Sequence, residues 1–153
     1  MHTGMSIGNK ALKNKKVTVL TNSLPNMEFL LNNTDSTITM PGGLIYREQN
    51  ILLSPYEDKI TNSFFAKYCF FSALAAAPGG PMEADELIIN SVTRFLGRSL
   101  SLILLLDSSK FNHKGSLIVC PWERIDMVIT DSEIEEEKKK WIEELGIKLA
   151  IAP

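Results

Sequence analysis

Leu100 to Phe111 reads Leu-Ser-Leu-Ile-Leu-Leu-Leu-Asp-Ser-Ser-Lys-Phe, and this stretch decides the fold. An apolar run of this length without alternation predicts a strand buried on both faces, as in a parallel sheet. It is too short to cross a membrane. The run stops at Asp107, so Asp107, Ser108, Ser109 and Lys110 fall at the strand's carboxyl end. That edge of an open parallel sheet is where ligands bind. Asp and Ser also cap helices, so the four residues read equally as a site or as a strand-to-helix turn.

Working outward, Ala84, Leu87, Ile88, Val92, Phe95 and Leu96 recur at helical spacing and Gly97 ends the helix. Tyr68 to Ser72 predicts another buried strand, and the small, Gly- and Pro-containing segment from Ala73 to Met82 predicts a loop. Leu117 to Cys120 is a short run expected to leave the parallel order, and Pro121 to Arg124 a short helical turn. Ile125 to Thr130 predicts a strand. Ser132 and Glu135 fit a capping box for a helix whose face carries Ile134, Lys138, Trp141, Ile142 and Leu145. Gly146 ends that helix, and Ile147 to Ile151 is the closing strand.

Towards the start, Val17 to Thr21 is a β-branched strand, with Ser23 as N-cap of a helix whose apolar face is Leu24, Met27, Leu30 and Leu31. Ser36 to Met40 is a second strand, followed by a Pro41-Gly-Gly43 turn. Leu44 to Leu53 fits a short strand and a link. Ile60 and Phe64, four apart, predict a helix from about Tyr56 to Ala66. The first residues read as a Gly- and Ser-rich loop entering a helix through Asn9 to Lys13. This alternation predicts an α/β fold, a three-layer α/β/α sandwich with a mostly parallel, Rossmann-like sheet.

The 153 residues suffice for one domain with a real core, and a net charge of −2 gives no electrostatic reason to hold nucleic acid. The start lacks the apolar segment of a signal peptide. Cys69 and Cys120 lie among apolar neighbours without CxxC spacing, which predicts two buried free thiols in a reducing cytosol. With histidine only at positions 2 and 113, neither a metal site nor a cofactor is expected.

One type of residue recurs beside the predicted strand ends: Thr3-Gly4 with Ser6, Thr21-Asn22-Ser23, Gly42-Gly43, Ala75 to Gly80, Asp107 to Lys110, and Thr130-Asp131. Gly, Ser and Thr next to a helix start offer N–H and hydroxyl donors to an anion, and Lys110 adds a charge. The pattern points to a small, anionic, hydroxylated ligand such as a phosphorylated sugar. Gly4 to Gly8 is neither a dinucleotide fingerprint nor a P-loop. Glu83 and Asp85 are candidate acids, or simply first-turn residues favoured by the helix dipole. His113 stands alone, and no Ser-His-Asp or Cys-His arrangement is visible, so no catalytic residue is assigned.

Asp107-Ser-Ser-Lys-Phe111, Ile125-Asp-Met-Val-Ile-Thr-Asp131 and the closing Gly146-Ile147 strand resemble the effector-sensing domain of the DeoR/GlpR family of bacterial transcriptional regulators. Val19 to Pro25 and Met40 to Gly43 are similar to two further family motifs, and Ile51-Leu-Leu-Ser-Pro55 resembles the branch that regulates ascorbate utilisation. The resemblance implies a sensor fold similar to ribose-5-phosphate isomerase, used for binding rather than catalysis. It implies a phosphorylated sugar or sugar-derivative effector, a cytoplasmic homo-oligomer, and release of a repressor from DNA. It places the phosphate loop at Thr3, Gly4, Met5 and Ser6, strand-end donors at Thr21, Asn22 and Ser23, and the motif lysine at Lys110. With Gly42, Gly43, Glu83 and Asp107, these form the expected ligand-binding set.

The isomerases carry an acidic loop after the third strand, whereas Ser72 to Pro78 has no acid. Family members begin with a winged helix-turn-helix, which the sequence does not contain. The expected organisation is one sensing domain over 1–153, with its first strand missing or reduced to Met1-His2 and DNA reached only through another domain. The rival readings are a sugar-phosphate isomerase and a remnant kept for oligomerisation.

Overall fold

The computed structural model describes residues 16–54, 56 and 59–152, so the expected loop and helix before Lys16 lie outside the described residues. The chain divides into two compact units, one within residues 4–64 and one from Phe65 onward.

In the first unit, strand β1 (Thr18–Leu20) runs parallel to β2 (Thr37–Thr39). Helix α1 (Leu24–Asn33) connects them. Ser23 caps it as expected, its Oγ accepting from the Asn26 N–H at 3.3 Å, and Pro25 sits in the first turn, where no N–H is needed. Leu30 is buried but Leu31 is exposed, so the helix buries a narrower stripe than the spacing implies. Leu44 to Leu53 forms a hairpin of β3 (Leu44–Tyr46) and β4 (Ile51–Leu53). The expected helix from Tyr56 shrinks to α2 (Lys59–Ser63), because Ala66 already pairs with Ser99 in the other unit's sheet.

The larger unit is built on a four-stranded parallel sheet in the order β5 (Ala66–Ser72), β8 (Ser99–Leu105), β10 (Met127–Asp131), β11 (Lys148–Ala152). The α/β class with a parallel sheet therefore holds. Helix α3 (Glu86–Leu96) leads into β8, and α4 (Glu136–Glu144) joins β10 to β11. Register aligns Phe71, Leu104 and Val128 across three strands. These three pack with Leu102, Leu106, Leu96 of α3 and Ile142 of α4 in one core. The central strand is fully buried on this face only. Ser101, Ile103 and Leu105 on its other face are half-buried, Leu100 is 69% exposed, and Tyr68 and Phe70 of β5 are exposed. The expectation of burial on both faces is therefore corrected: the run is apolar throughout, but only alternate residues enter the core.

The predicted loop from Ala73 to Met82 is instead a hairpin, β6 (Ala75–Ala77) with β7 (Gly80–Glu83), and β9 (Leu117–Ile118) adds to it antiparallel. Small residues are needed here because the backbone approaches closely: at Gly80, with φ +143°, a Cβ would lie 2.1 Å from the Cys120 carbonyl oxygen. The Trp122 indole donates to the Ala77 carbonyl at 2.7 Å and packs edge-on against Trp141, centroids 5.3 Å apart. Trp122 belongs to a short 3-10 turn, Trp122–Arg124, as expected.

The capping box at Ser132 does not form. The Asp131 carboxylate takes the Glu133 N–H at 2.9 Å, and α4 starts only after Glu135, which caps without a side-chain bond. Leu145 of the expected helix face is exposed, while Ile134 and Ile142 are buried. Cys69 is half-buried and Cys120 buried; both are free, and burial pushes each thiol to about 11. Neither is a reactive thiolate at neutral pH.

Thr130 is fully buried on β10, and its Oγ1 has no hydrogen-bond partner among the described residues. An orphaned buried hydroxyl costs free energy, so Thr130→Val is expected to stabilise the chain by about 1 kcal/mol in urea denaturation. In the same assay Leu104→Ala, which empties the centre of the core, is expected to cost about 3 kcal/mol.

Candidate functional site

The carboxyl ends of β5, β8 and β10 lie side by side, since Ser72 pairs with Leu105 and Leu105 with Ile129. After β8 the chain enters a 3-10 turn, Ser108–Asn112, with buried Phe111 fixing its end. Phe111 meets Trp141 edge-on at 6.5 Å. The turn's start is held from the next strand, the Asp131 carboxylate accepting the Ser108 N–H at 2.8 Å. The Ser109 hydroxyl donates to the Asp107 carboxylate. Lys110 is thus carried on a turn clamped at both ends, and the Asp-Ser-Ser-Lys sequence is a turn as well as a candidate ligand edge.

Burial pushes the Asp131 carboxyl up, but the N–H and hydroxyl of Ser108 and the Glu133 N–H outweigh it and leave it below the ordinary Asp range. Its structural role was not legible, because it depends on which residue stands beside Asp107 across the sheet. The usable signal was an acid at the end of an adjacent strand.

Glu83 closes β7, 9% exposed, and the Ser116 N–H bonds its carbonyl at 3.0 Å. Burial pushes its side-chain carboxyl above the ordinary Glu value, against the opposing pull of the Ala84 N–H, the Lys110 ammonium and the Leu74 N–H. Leu74, two residues beyond β5, donates its N–H to the Met82 carbonyl at 2.9 Å, so β7 ends near the carboxyl end of β5. Asp85 is the N-cap of α3, its carboxylate accepting the Leu87 N–H at 2.8 Å, which confirms the helix-start reading of that acid. His113 is exposed, its Nδ1 2.7 Å from the Ser109 carbonyl oxygen.

The other expected site residues belong to the smaller unit or lie outside the described residues. Thr3, Gly4, Met5 and Ser6 are in the latter group. Thr21, Asn22 and Ser23 follow β1 at its carboxyl end, where the Thr21 hydroxyl accepts the Ser23 N–H at 3.2 Å and the Asn22 carbonyl accepts the Leu52 N–H at 2.7 Å. Gly42 and Gly43 lie between β2 and the hairpin. Gly43 has a packing reason of its own: with φ +148°, a Cβ there would stand 2.4 Å from the Leu53 carbonyl oxygen. Gly42 faces open space. Among the described residues there is no cluster of acids, histidines and cysteines able to hold a metal ion, and no helix long and apolar enough to cross a membrane.

The parallel α/β sheet carries a lysine and hydroxyls at its carboxyl edge, and the family model for the DeoR C terminal sensor domain matches residues 3–132. The chain belongs to that family. It is also similar to the HTH-type transcriptional regulator UlaR of Shigella dysenteriae serotype 1, of Escherichia coli strain K12 and of Salmonella arizonae. Each is 27% identical over 136 residues, covering 88% of this chain and 53% of the relative. The chain spans about half the length of the curated relatives it matches. Those relatives are named as transcriptional regulators.

Asp131→Asn tests the clamp on the Lys110 turn. The mutation is expected to cost about 1 kcal/mol at pH 7. A depressed folded pKa stabilises above the unfolded Asp value, near pH 4, and that contribution is lost as pH falls through the folded value. The difference between wild type and variant, read from urea midpoints, should therefore vanish in acid.

Proposed function

We propose that this chain is the effector-binding domain of a DeoR-family transcriptional repressor. It binds a phosphorylated sugar or sugar acid, and binding controls a helix-turn-helix domain that contacts DNA. The observation that carries this reading is the placement of Lys110, on a clamped turn at the carboxyl edge of the parallel sheet, in a member of a sensor-domain family. In this reading residues 1–153 are a single sensing domain, and Thr3, Gly4, Met5 and Ser6 supply the phosphate loop. Thr21, Asn22, Ser23, Gly42, Gly43 and Asp107 complete the ligand-binding set. The protein is cytoplasmic and works as a homo-oligomer, with DNA bound only through the separate domain. The names of its relatives, HTH-type transcriptional regulators, support the DNA-linked part.

The test is a thermal-shift screen of the purified chain against phosphorylated sugars and sugar acids, including ascorbate 6-phosphate. A ligand at a hundred times its Kd stabilises by about 2.7 kcal/mol, a shift of several degrees. The expected result is a ligand-specific rise that is strongly reduced in Lys110→Ala. No rise with any ligand, from a cooperatively folded sample, overturns the sensing role and leaves oligomerisation.

A further inference from the structure

We propose that the outer edge of β5 pairs antiparallel with β5 of a second copy of this chain, about a two-fold axis at Cys69. The inference rests on the homo-oligomer just proposed and gives it an interface. β5 is the last strand of its sheet, and among the described residues nothing pairs with its outer side. Its outward backbone groups follow from the strands beyond it. The Leu106 N–H goes to the Ile129 carbonyl and the Leu102 carbonyl takes the Asp126 N–H, both at 3.0 Å, so these residues turn towards β10. Backbone direction alternates along a strand, so Ser101 and Ile103 turn towards β5. In a parallel pair only one of two register partners bonds across, which leaves their partners Tyr68 and Phe70 facing outward. An apolar edge is a template for another strand unless charges, proline or a bulge guard it. β5 carries one charge, Lys67, and no proline.

The strand is complementary to itself. Cys69 is the midpoint of Ala66–Ser72, so a two-fold axis there overlaps the whole strand. It sets outward-facing Tyr68 of each copy opposite outward-facing Phe70 of the other, N–H against C=O and ring beside ring. Lys67 comes opposite Phe71 instead of the other Lys67, so no like charges meet. Tyr68 and Phe70 are 50% and 55% exposed, and Phe65, just before the strand, 63%. At about 150–250 Å² per aromatic side chain, they leave roughly 300 Å² of aromatic surface on each copy. With the backbone edge this is the low end of what specific interfaces bury, so the dimer forms reversibly with concentration.

The experiment is sedimentation equilibrium of the 153-residue chain across a wide concentration range, with amide hydrogen exchange read by NMR at both ends of it. Wild type is expected to pass from monomer to dimer, and the Tyr68 and Phe70 amides to exchange freely when dilute and slowly when concentrated. Phe70→Lys is expected to raise the dimer Kd roughly tenfold or more, since each copy loses an aromatic cross-strand pair. Ile118→Lys, at an exposed apolar residue of β9, is expected to leave it unchanged. A dimer insensitive to a folded Phe70→Lys, or one in which the two amides stay unprotected, overturns this interface and leaves the homo-oligomer standing. A monomer at every concentration overturns both. Protection of the two amides in the dilute monomer overturns the interface, because the edge is then covered within the chain. Should Phe70→Lys not fold, the wild-type amides decide.

Discussion

Leu102, Leu104 and Leu106 must leave water together, and most of the larger unit follows from that requirement. They project from one face of a strand that has neighbours on both sides, so their burial demands β5 and β10 beside them and α3 and α4 above. Each such side chain contributes roughly 1.5–3 kcal/mol on burial, and none achieves this without the others' cover. The strand ends where the leucines end. Its polar continuation is therefore delivered to the sheet's carboxyl edge by the same packing that builds the core.

Delivery alone does not make a rigid edge. The turn after β8 is fixed at its start by a charge-assisted bond from Asp131 and at its end by Phe111 against Trp141. The first belongs to the neighbouring strand and the second to the helix that follows that strand. The position of Lys110 is thus set by the β10–α4 segment as much as by its own sequence. Glu83 reaches the edge by another route, on a hairpin that needs glycine at its tight approach to Cys120.

The parallel strands, the three longer helices and the 3-10 turn at Trp122 were legible because hydrophobic period and punctuation are local signals. What stayed hidden was non-local. The Ala75–Ala77 and Gly80–Glu83 strands looked like a loop, because alanine, glycine and proline carry no strand pattern; the hairpin they form is extended by the distant Leu117–Ile118. The capping box at Ser132 is absent because the helix starts three residues later, with Glu135 as its N-cap, while Asp131 takes the Glu133 N–H. Half-exposure of one sheet face was invisible in a uniformly apolar run. For the site, the sequence pointed to Lys110 and Glu83, but that Glu83 closes a hairpin strand was not visible in it. For Gly43 the fold supplies a steric explanation that the sequence motif alone could not distinguish from ligand contact.

Trp122 and Trp141 are the chain's two tryptophans, and both sit in the larger unit, one stacked edge-on to the other. Indole emission therefore originates entirely from residues beyond Phe65. The smaller unit contributes tyrosines but no indole. A fluorescence melt excited selectively at tryptophan therefore reads the packing of Trp122 on the Ala77 hairpin and of both indoles on each other, while the first βαβ turn and its hairpin carry no indole reporter of their own.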